Sequence, residues 1–126
     1  MSDKGFFCGN NTPQDPANLT DSEKKHMPVI DAPDEVTAGE PFKVSVKVGE
    51  IAHLMEEAHH IQWLDFYFGQ NFYARVDLTP VFTAAEVTVS LVRHGKGNHE
   101  LGTLRVVERC NLHGQWEATK EIRVKK

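Results

Sequence analysis

A strict alternation of apolar and polar residues is the feature that most constrains the fold of this chain. In the run PFKVSVKVG (41–49), Phe or Val stands at every second position, with Lys or Ser between. Successive side chains of a strand point to opposite faces, so this run predicts a strand with one buried face. Further strand-like runs, rich in β-branched residues and bounded by Gly, Pro or Asn, lie at 60–69, 71–80, 86–95, 100–110 and 116–126.

These runs predict an all-β domain. About seven short strands with no helix between them favour an antiparallel β-sandwich. Only AHLMEEAHH (52–60) has helical character, and its length suits a single short loop. The stretch GNNTPQDPANLTDS (9–22) is polar and rich in Asn, Pro and Asp, which indicates an extended N-terminal arm. We therefore expect an arm over residues 1–25 and a sandwich domain over residues 26–126.

Composition excludes several classes of protein. The 126 residues suit one domain, with 40% hydrophobic and 25% charged residues. A formal net charge of −4 argues against a nucleic-acid binder, which needs concentrated Lys and Arg. No apolar run approaches the roughly 18 residues of a membrane span. The first residues lack the apolar core of a secretory signal, so we expect a cytoplasmic protein with reduced thiols.

The positions of the histidines indicate a metal site. A single histidine is usually a surface residue or a satisfied core residue. Four of the seven, however, stand at predicted strand ends or in loops, where a sandwich carries its binding residues. They are His26, His53, His59 and His113. Cys110 lies close to the last of them in CNLHGQW (110–116).

Four imidazoles and one thiolate form an unusual set of donors. They are too many for a structural zinc site, which is tetrahedral and usually rich in cysteine. A blue copper site takes two histidines, one cysteine and a weak axial ligand. Five nitrogen and sulfur donors with one open position suit an iron ion that must bind a small ligand. A thiolate opposite that position would push electron density onto the metal, which favours one-electron chemistry.

Three motifs, in this order, resemble the superoxide reductase family, in particular its one-iron, neelaredoxin-like members. They are KKHMPVIDAP, then His53-x5-His59 followed by His60-Ile61-x-Trp63, then CNLHGQW. The resemblance covers roughly residues 23 to 126. It implies a seven-stranded immunoglobulin-like sandwich with one iron ion per chain. It assigns the five metal ligands as follows: His26, His53, His59 and His113 equatorial, and Cys110 axial.

The resemblance also implies the activity and the partners. The family reduces superoxide by one electron to hydrogen peroxide, without dismutation, and a small donor such as rubredoxin restores ferrous iron. Short members are often homotetramers, and Trp116 is expected near the metal. Two-iron desulfoferrodoxins add an N-terminal module with four cysteines, whereas this chain has only Cys8 in that region.

The three residues before the first histidine match the family pattern only in part. The family carries Glu-Lys at once before this histidine; the lysine attracts superoxide and the glutamate closes the sixth position of ferric iron. Here the order is Glu23-Lys24-Lys25-His26. Lys25 matches the lysine, Lys24 occupies the glutamate position, and Glu23 lies one residue further back. Either Glu23 still reaches the iron or this ligand is absent.

Other roles remain open at this stage. The backbone N–H groups of Leu112 and His113 are placed to donate to the sulfur of Cys110, and His60 is expected to be structural. An immunoglobulin-like sandwich also serves proteins without enzymatic activity, because fold does not decide function. The alternative is an iron-binding electron-transfer module; a further one is an adhesion domain with a Cys8–Cys110 disulfide.

Overall fold

The computed structural model describes residues 9–94 and 100–126, in which one short helix and nine strands are found. In chain order these are β1 (Asn10–Asn11), α1 (Asp21–His26), β2 (Pro28–Asp31), β3 (Glu35–Thr37), β4 (Pro41–Val48), β5 (Ile61–Phe68), β6 (Asn71–Asp77), β7 (Glu86–Val92), β8 (Glu100–Cys110) and β9 (Gly114–Lys125). In the described ranges no helix is long and apolar enough to cross a lipid bilayer.

The strands form two sheets that pack as a sandwich. The larger sheet has the order β1-β9-β8-β5-β6, with β3 also on β9, and the smaller has the order β2-β4-β7. Antiparallel ladders join seven strands, namely β2 and β4 to β9, which confirms the predicted sandwich. The two short strands β1 and β3 run parallel to β9. They were not predicted, because two or three residues are too few to show a period of two.

The alternation in β4 builds the core as expected. Phe42, Val44, Val46 and Val48 are buried, whereas Lys43 and Lys47 are exposed. Opposite them, β5 and β8 contribute Leu64, Phe66, Leu104 and Val106, all fully buried. Full burial of such a side chain stabilises the fold by about 1.5–3 kcal/mol. Cys110, the last residue of β8, belongs to the same core cluster, so the sulfur enters the metal-ligand region from the interior.

Helix α1 was not predicted, although the sequence contains a local signal for it. Thr20 is the N-cap: its hydroxyl accepts from the Glu23 N–H at 3.1 Å, and the Glu23 carboxylate accepts from the Thr20 N–H at 2.9 Å. Thr20-x-x-Glu23 is thus a capping box, which pairs two N–H groups that a helix start leaves free. The helix ends at His26, because Met27 is extended and Pro28 begins β2. Residues 52–60, in contrast, form turns and no helix.

Gly49 allows α1 to approach the sandwich closely. A Cβ atom at this position would lie 2.3 Å from the carbonyl oxygen of Lys24 and 3.0 Å from the carbonyl carbon of Lys25. The same Lys24 oxygen accepts a hydrogen bond from the Ile51 N–H at 3.2 Å. The helix backbone therefore rests directly on the loop that follows β4, and any side chain at residue 49 would push it away.

We expect Gly49→Ala to destabilise the fold and to displace α1. The added methyl meets backbone atoms, which cannot rotate away, so the cost should be about 1–3 kcal/mol, typical of overpacking. Chemical denaturation of the metal-free protein measures it. Glu50→Ala, a change at the exposed neighbouring residue, is the control and should leave stability nearly unchanged. Equal stability of Gly49→Ala and wild type would show that the helix does not depend on this contact.

Candidate metal centre

Three separate segments bring the predicted ligands to one end of the sandwich. His26 is the last residue of α1, and His53 and His59 lie in the loop between β4 and β5. Cys110 ends β8, and His113 lies in the turn before β9. Residues far apart along the chain meet here because loops at the same end of a sandwich converge.

The four imidazoles form a square. Ring centroids are 4.8 Å apart for His26–His53, 4.7 Å for His53–His59, 5.0 Å for His59–His113 and 5.0 Å for His113–His26. Neighbouring rings meet at 68–89°, edge to face. The diagonal pair His26 and His59 is 6.4 Å apart at only 35°. Each ring thus points an edge, and with it a nitrogen atom, towards a common centre.

Cys110 completes the cluster from the core side. The ligand atoms of His26, His53, His59 and Cys110 all lie within 4.8 Å of one another. His113 joins through Nδ1, which is 3.1 Å from His26 Nε2 and 3.9 Å from Cys110 Sγ. Cys110 is a free, fully buried thiol, whereas Cys8, its partner in the disulfide alternative, lies outside the described residues.

Backbone carbonyl groups select the nitrogen that each buried histidine presents. His26 Nδ1–H donates to the Ser22 carbonyl at 2.7 Å, and His53 Nδ1–H donates to the Leu54 carbonyl at 2.8 Å. A carbonyl oxygen only accepts, so both Nδ1 atoms carry the proton. Both Nε2 atoms therefore turn an unshared electron pair towards the cluster. Hydrogen bonds of this kind orient metal-bound histidines in many proteins.

The cluster has the features of a metal site. The two unprotonated nitrogens, His26 Nε2 and His53 Nε2, lie 3.2 Å apart, and their electron pairs repel unless a cation lies between them. His59 Nε2 is buried and has no hydrogen-bond partner in the described part of the chain. Metal–nitrogen bonds of about 2.0–2.1 Å put neighbouring nitrogens of a right-angled site roughly 3 Å apart. The observed spacing fits such an ion.

The protonation states favour metal binding at the histidines and oppose it at the cysteine. Burial lowers the pKa of His53 to about 4 and also lowers the pKa of His26 and His59, so these rings are neutral near pH 7, as ligands must be. Burial raises the pKa of Cys110, whereas hydrogen bonds from the N–H groups of Leu112 and His113 lower it. These two donors are the ones expected from the sequence, and they favour the thiolate that a metal requires.

Asn111 connects the turn of Cys110 and His113 to the loop that carries His59. Its side-chain oxygen accepts from the His60 N–H at 2.9 Å, and its side-chain N–H donates to the Ala58 carbonyl at 3.1 Å. Its own backbone N–H donates to the His60 carbonyl at 3.1 Å. Three hydrogen bonds from one residue thus hold His59 in register with Cys110. His60 itself faces away from the square, and its Nδ1–H donates to the Glu56 carbonyl at 3.1 Å.

The three residues before His26 lie in different surroundings. Glu23 is buried, and its carboxylate accepts from the backbone N–H groups of Thr20 at 2.9 Å and Gln14 at 3.2 Å. Lys24 is half-buried and Lys25 is exposed. After burial and neighbouring histidines, the charge of Lys25 also lowers the pKa of His26 and His59, so this lysine acts electrostatically on the cluster.

The structure adds residues whose contribution the sequence did not reveal. Gly49 and Asn111 position the ligand loops, and only the contacts described above identify them. Glu108 is fully buried with both carboxylate oxygens unpaired among the described residues, and burial raises its pKa well above the usual value. Its place two residues before Cys110 on the same strand gave no warning of this, because a lone glutamate in a strand usually faces water.

A β-sandwich that carries four histidines and a cysteine at one end defines a class of metalloprotein, and comparison with known proteins identifies the family. The family model "Desulfoferrodoxin" matches residues 18–119. A putative superoxide reductase from Methanocaldococcus jannaschii is 43% identical over 116 residues, which are 92% of this chain and 95% of that protein. Neelaredoxin from Megalodesulfovibrio gigas is 34% identical over 121 residues, covering 81% and 89% respectively.

The solved structures agree with this match. The superoxide reductase (neelaredoxin) from Ignicoccus hospitalis superimposes with a TM-score of 0.70 at 38% identity, over 79% of this chain and 81% of that one. The chain belongs to the desulfoferrodoxin family, in its superoxide reductase and neelaredoxin branch.

We expect His53→Ala and His59→Ala to reduce bound iron well below one ion per chain, because each removes one of the five predicted donors. His60→Ala is the matched control. His60 follows His59 in the chain, but its ring lies outside the square, so this variant should retain iron. Elemental analysis of the purified variants decides the matter. Loss of iron in His60→Ala together with full occupancy in His59→Ala would contradict the ligand assignment through this loop.

Proposed function

We propose that this chain is a superoxide reductase, which reduces superoxide by one electron to hydrogen peroxide without dismutation. The observation that carries this proposal is the square of four imidazoles with a buried cysteine on its core side. The family membership supports the same activity. In the reaction, superoxide takes up one electron and two protons and becomes hydrogen peroxide.

The proposed metal is one iron ion, held by His26, His53, His59, His113 and Cys110. Five nitrogen and sulfur donors exceed what structural zinc takes, and a thiolate among imidazoles suits iron that works in one-electron chemistry. Bound at this site, iron would supply the single electron that superoxide needs. The iron is inferred from the family and the donor set; the cluster of ligand atoms is what supports it.

The chain itself prepares two different sides of the site. Cys110 is fully buried and belongs to the hydrophobic core, so the sulfur faces the square from the interior. His59 and His113 are half-buried and lie nearer the surface. A small anion would therefore approach from the side opposite the sulfur. The N–H groups of Leu112 and His113 stabilise the thiolate and limit how much charge it donates.

Lys25 is proposed to attract superoxide. The protein carries a formal net charge of −4, which would repel an anion at long range. An exposed lysine beside the cluster reverses the local field, and association rates depend on the field near the site. Lys24 adds a second positive charge from a half-buried position. Water ordered by Lys25 would deliver the two protons that the formation of hydrogen peroxide requires.

Glu23 has two possible roles at this site. As a sixth ligand it would have to leave the N–H groups of Thr20 and Gln14, which would also open the capping box of α1. As a cap it stays where it is and holds the helix that carries His26. The two hydrogen bonds and the burial support the second role.

The remaining assignments rest on the family. A small electron donor such as rubredoxin would restore the reduced metal after each turnover. A homotetramer is proposed for the assembly, as for other short members. The free thiol of Cys110 suits a reducing compartment, which supports a cytoplasmic location.

We expect Cys110→Ser to abolish both the visible absorption band of the oxidised protein and superoxide reduction. The band arises from charge transfer between thiolate and iron, and a serine hydroxyl supplies neither the band nor the electron density. The fold should persist, because its core is otherwise apolar. Cys8→Ser is the control and should keep both colour and rate. A coloured, active Cys110→Ser protein would end the assignment of the sulfur ligand.

We expect Lys25→Ala to slow the second-order reaction of the reduced protein with superoxide and to weaken its dependence on salt. An exposed charge acts over roughly 8 Å at physiological ionic strength, so added salt should slow the wild type more than the variant. Pulse radiolysis measures the rate. Lys43→Ala, which removes an equal and exposed charge from the outer face of β4, should react like wild type.

Glu23→Ala separates the two roles of this residue in the same experiment. If Glu23 is a sixth ligand, the spectrum of the oxidised protein changes while the rate of superoxide capture does not. If it is a helix cap, both the spectrum and the rate stay as in wild type and the melting temperature falls.

For the Lys25→Ala variant, capture of superoxide at the wild-type rate and with wild-type salt dependence would remove Lys25 from the mechanism.

A further inference from the structure

Trp116 is the largest of the fully buried side chains, yet it is not part of the hydrophobic core cluster. It lies on β9, two residues after Gly114, and faces the end of the sandwich where the histidines converge. A buried tryptophan normally adds a large apolar area to the core. Here the indole ring lies against the candidate metal ligands instead.

The indole ring makes two different contacts with two different ligands. It lies parallel to the imidazole of His26, with ring centroids 4.9 Å apart and an angle of 17°. Its Nε1–H donates to the His113 carbonyl at 3.0 Å. The four imidazole pairs of the square, in contrast, meet edge to face. Trp116 thus contacts one ligand through its ring plane and the other through its polar edge.

The two ligands that Trp116 contacts come from different elements. His26 ends a helix of six residues that lies between β1 and β2, and His113 lies in the β8–β9 turn. Their facing nitrogens are 3.1 Å apart. So short a helix has little stability of its own, and its last side chain needs an external surface to set its orientation. The flat indole supplies that surface.

The hydrogen bond to His113 matters because of the nitrogen that this residue presents. His113 faces the cluster with Nδ1, the ring nitrogen closer to the backbone. A ligand with so short a reach follows every movement of its own peptide. Gly114 comes next, with a φ of 80° that favours glycine, so the chain turns sharply here. The indole N–H holds the carbonyl between these two residues.

Two sets of contacts therefore connect the β8–β9 turn to the other segments that carry the histidines. Asn111 ties that turn to the loop of His59, through three hydrogen bonds. Trp116 ties it to the helix of His26, by stacking and by one hydrogen bond. Without the contacts of Trp116, α1 would keep its contact with Gly49 but would lose this connection to the β8–β9 turn.

We propose that Trp116 is a positioning residue of the metal centre, which sets the plane of His26 and the backbone of His113 so that their nitrogens face one ion. This inference rests on the metal site proposed above and adds a determinant of metal affinity to it. Partners that orient metal-bound histidines typically change metal affinity by about 10–100-fold when they are lost.

The test compares Trp116→Phe, Trp116→Leu and wild type as full-length proteins. Trp116→Phe keeps an aromatic surface for His26 but removes the N–H donor, and Trp116→Leu removes both. Iron(II) is added to the metal-free proteins without oxygen, and affinity is measured by competition with a coloured chelator. Melting temperatures of the metal-free proteins are recorded alongside, as is the thiolate band after oxidation.

Phe66→Leu is the matched control, because Phe66 is an equally buried aromatic residue of the core cluster. We expect it to lower the melting temperature and to bind iron(II) like wild type with an unshifted band. Trp116→Phe should bind iron(II) about 10-fold or more weakly, with a shifted band and no greater loss in melting temperature than Phe66→Leu. Trp116→Leu should bind more weakly still.

The outcomes separate the two proposals. If wild type binds iron(II) and Trp116→Phe binds it equally well, the positioning role is wrong and the metal site stands. If Phe66→Leu weakens binding as much as Trp116→Phe, the effect follows general stability and the positioning role is again wrong. If wild type itself binds no iron(II), the metal site proposed for the function fails, and the role of Trp116 fails with it.

Discussion

The repulsion between unshared electron pairs at the centre of the histidine square is the constraint on which the rest of the site depends. Hydrogen bonds to the carbonyls of Ser22 and Leu54 oblige His26 and His53 to face each other through unprotonated nitrogens 3.2 Å apart. Burial lowers the pKa of both rings, which favours their neutral forms. Electron pairs that face one point in this way would bind a cation placed between them, so the geometry is preorganised for a metal.

A β-sandwich is well suited to hold the imidazoles in this arrangement. Its paired sheets bury a continuous apolar core. The core strands β4 and β8 end at the site, and β5 begins there, so all three adjoin the ligand loops. Cys110 is both the last residue of a core strand and a predicted donor, so packing of the core holds its sulfur in place. The imidazoles lie on shorter segments, and these need the additional contacts of Gly49, Asn111 and Trp116.

The helix α1 shows how a local motif serves the site. The capping box of Thr20 and Glu23 begins the helix, and three residues later His26 ends it. In an α-helix, residues three apart share a face, and both Glu23 and His26 are buried. Side chains lean towards the helix N-terminus, so the carboxylate turns towards Thr20 and away from the metal side. The Glu23 carboxylate therefore already has partners on the N-terminal side of the helix.

The sequence was sufficient to predict the sandwich and to name the four histidines and the cysteine that meet at one end of it. A period of two is clearest in β4 and β7, because each of these strands has one face in the core. Core burial is the largest favourable contribution to folding. The strands β1 and β3 left no such pattern, and the capping box that marks α1 was present but overlooked. The three motifs with their histidines and Cys110 carried the family resemblance directly.

Tertiary structure alone decided how these residues act together. The nitrogen that each histidine presents depends on backbone carbonyl groups such as that of Ser22. The direction of a carbonyl group cannot be read from the residue type. Contacts between distant segments are made by Gly49 against α1, by the hydrogen bonds of Asn111 and by the stacking of Trp116 on His26. These segments lie about 25 to 90 positions apart in the chain. Local patterns record which face of a strand is buried, because burial acts on each residue separately. Contacts between distant segments depend on the whole arrangement, so they appear only in the folded molecule.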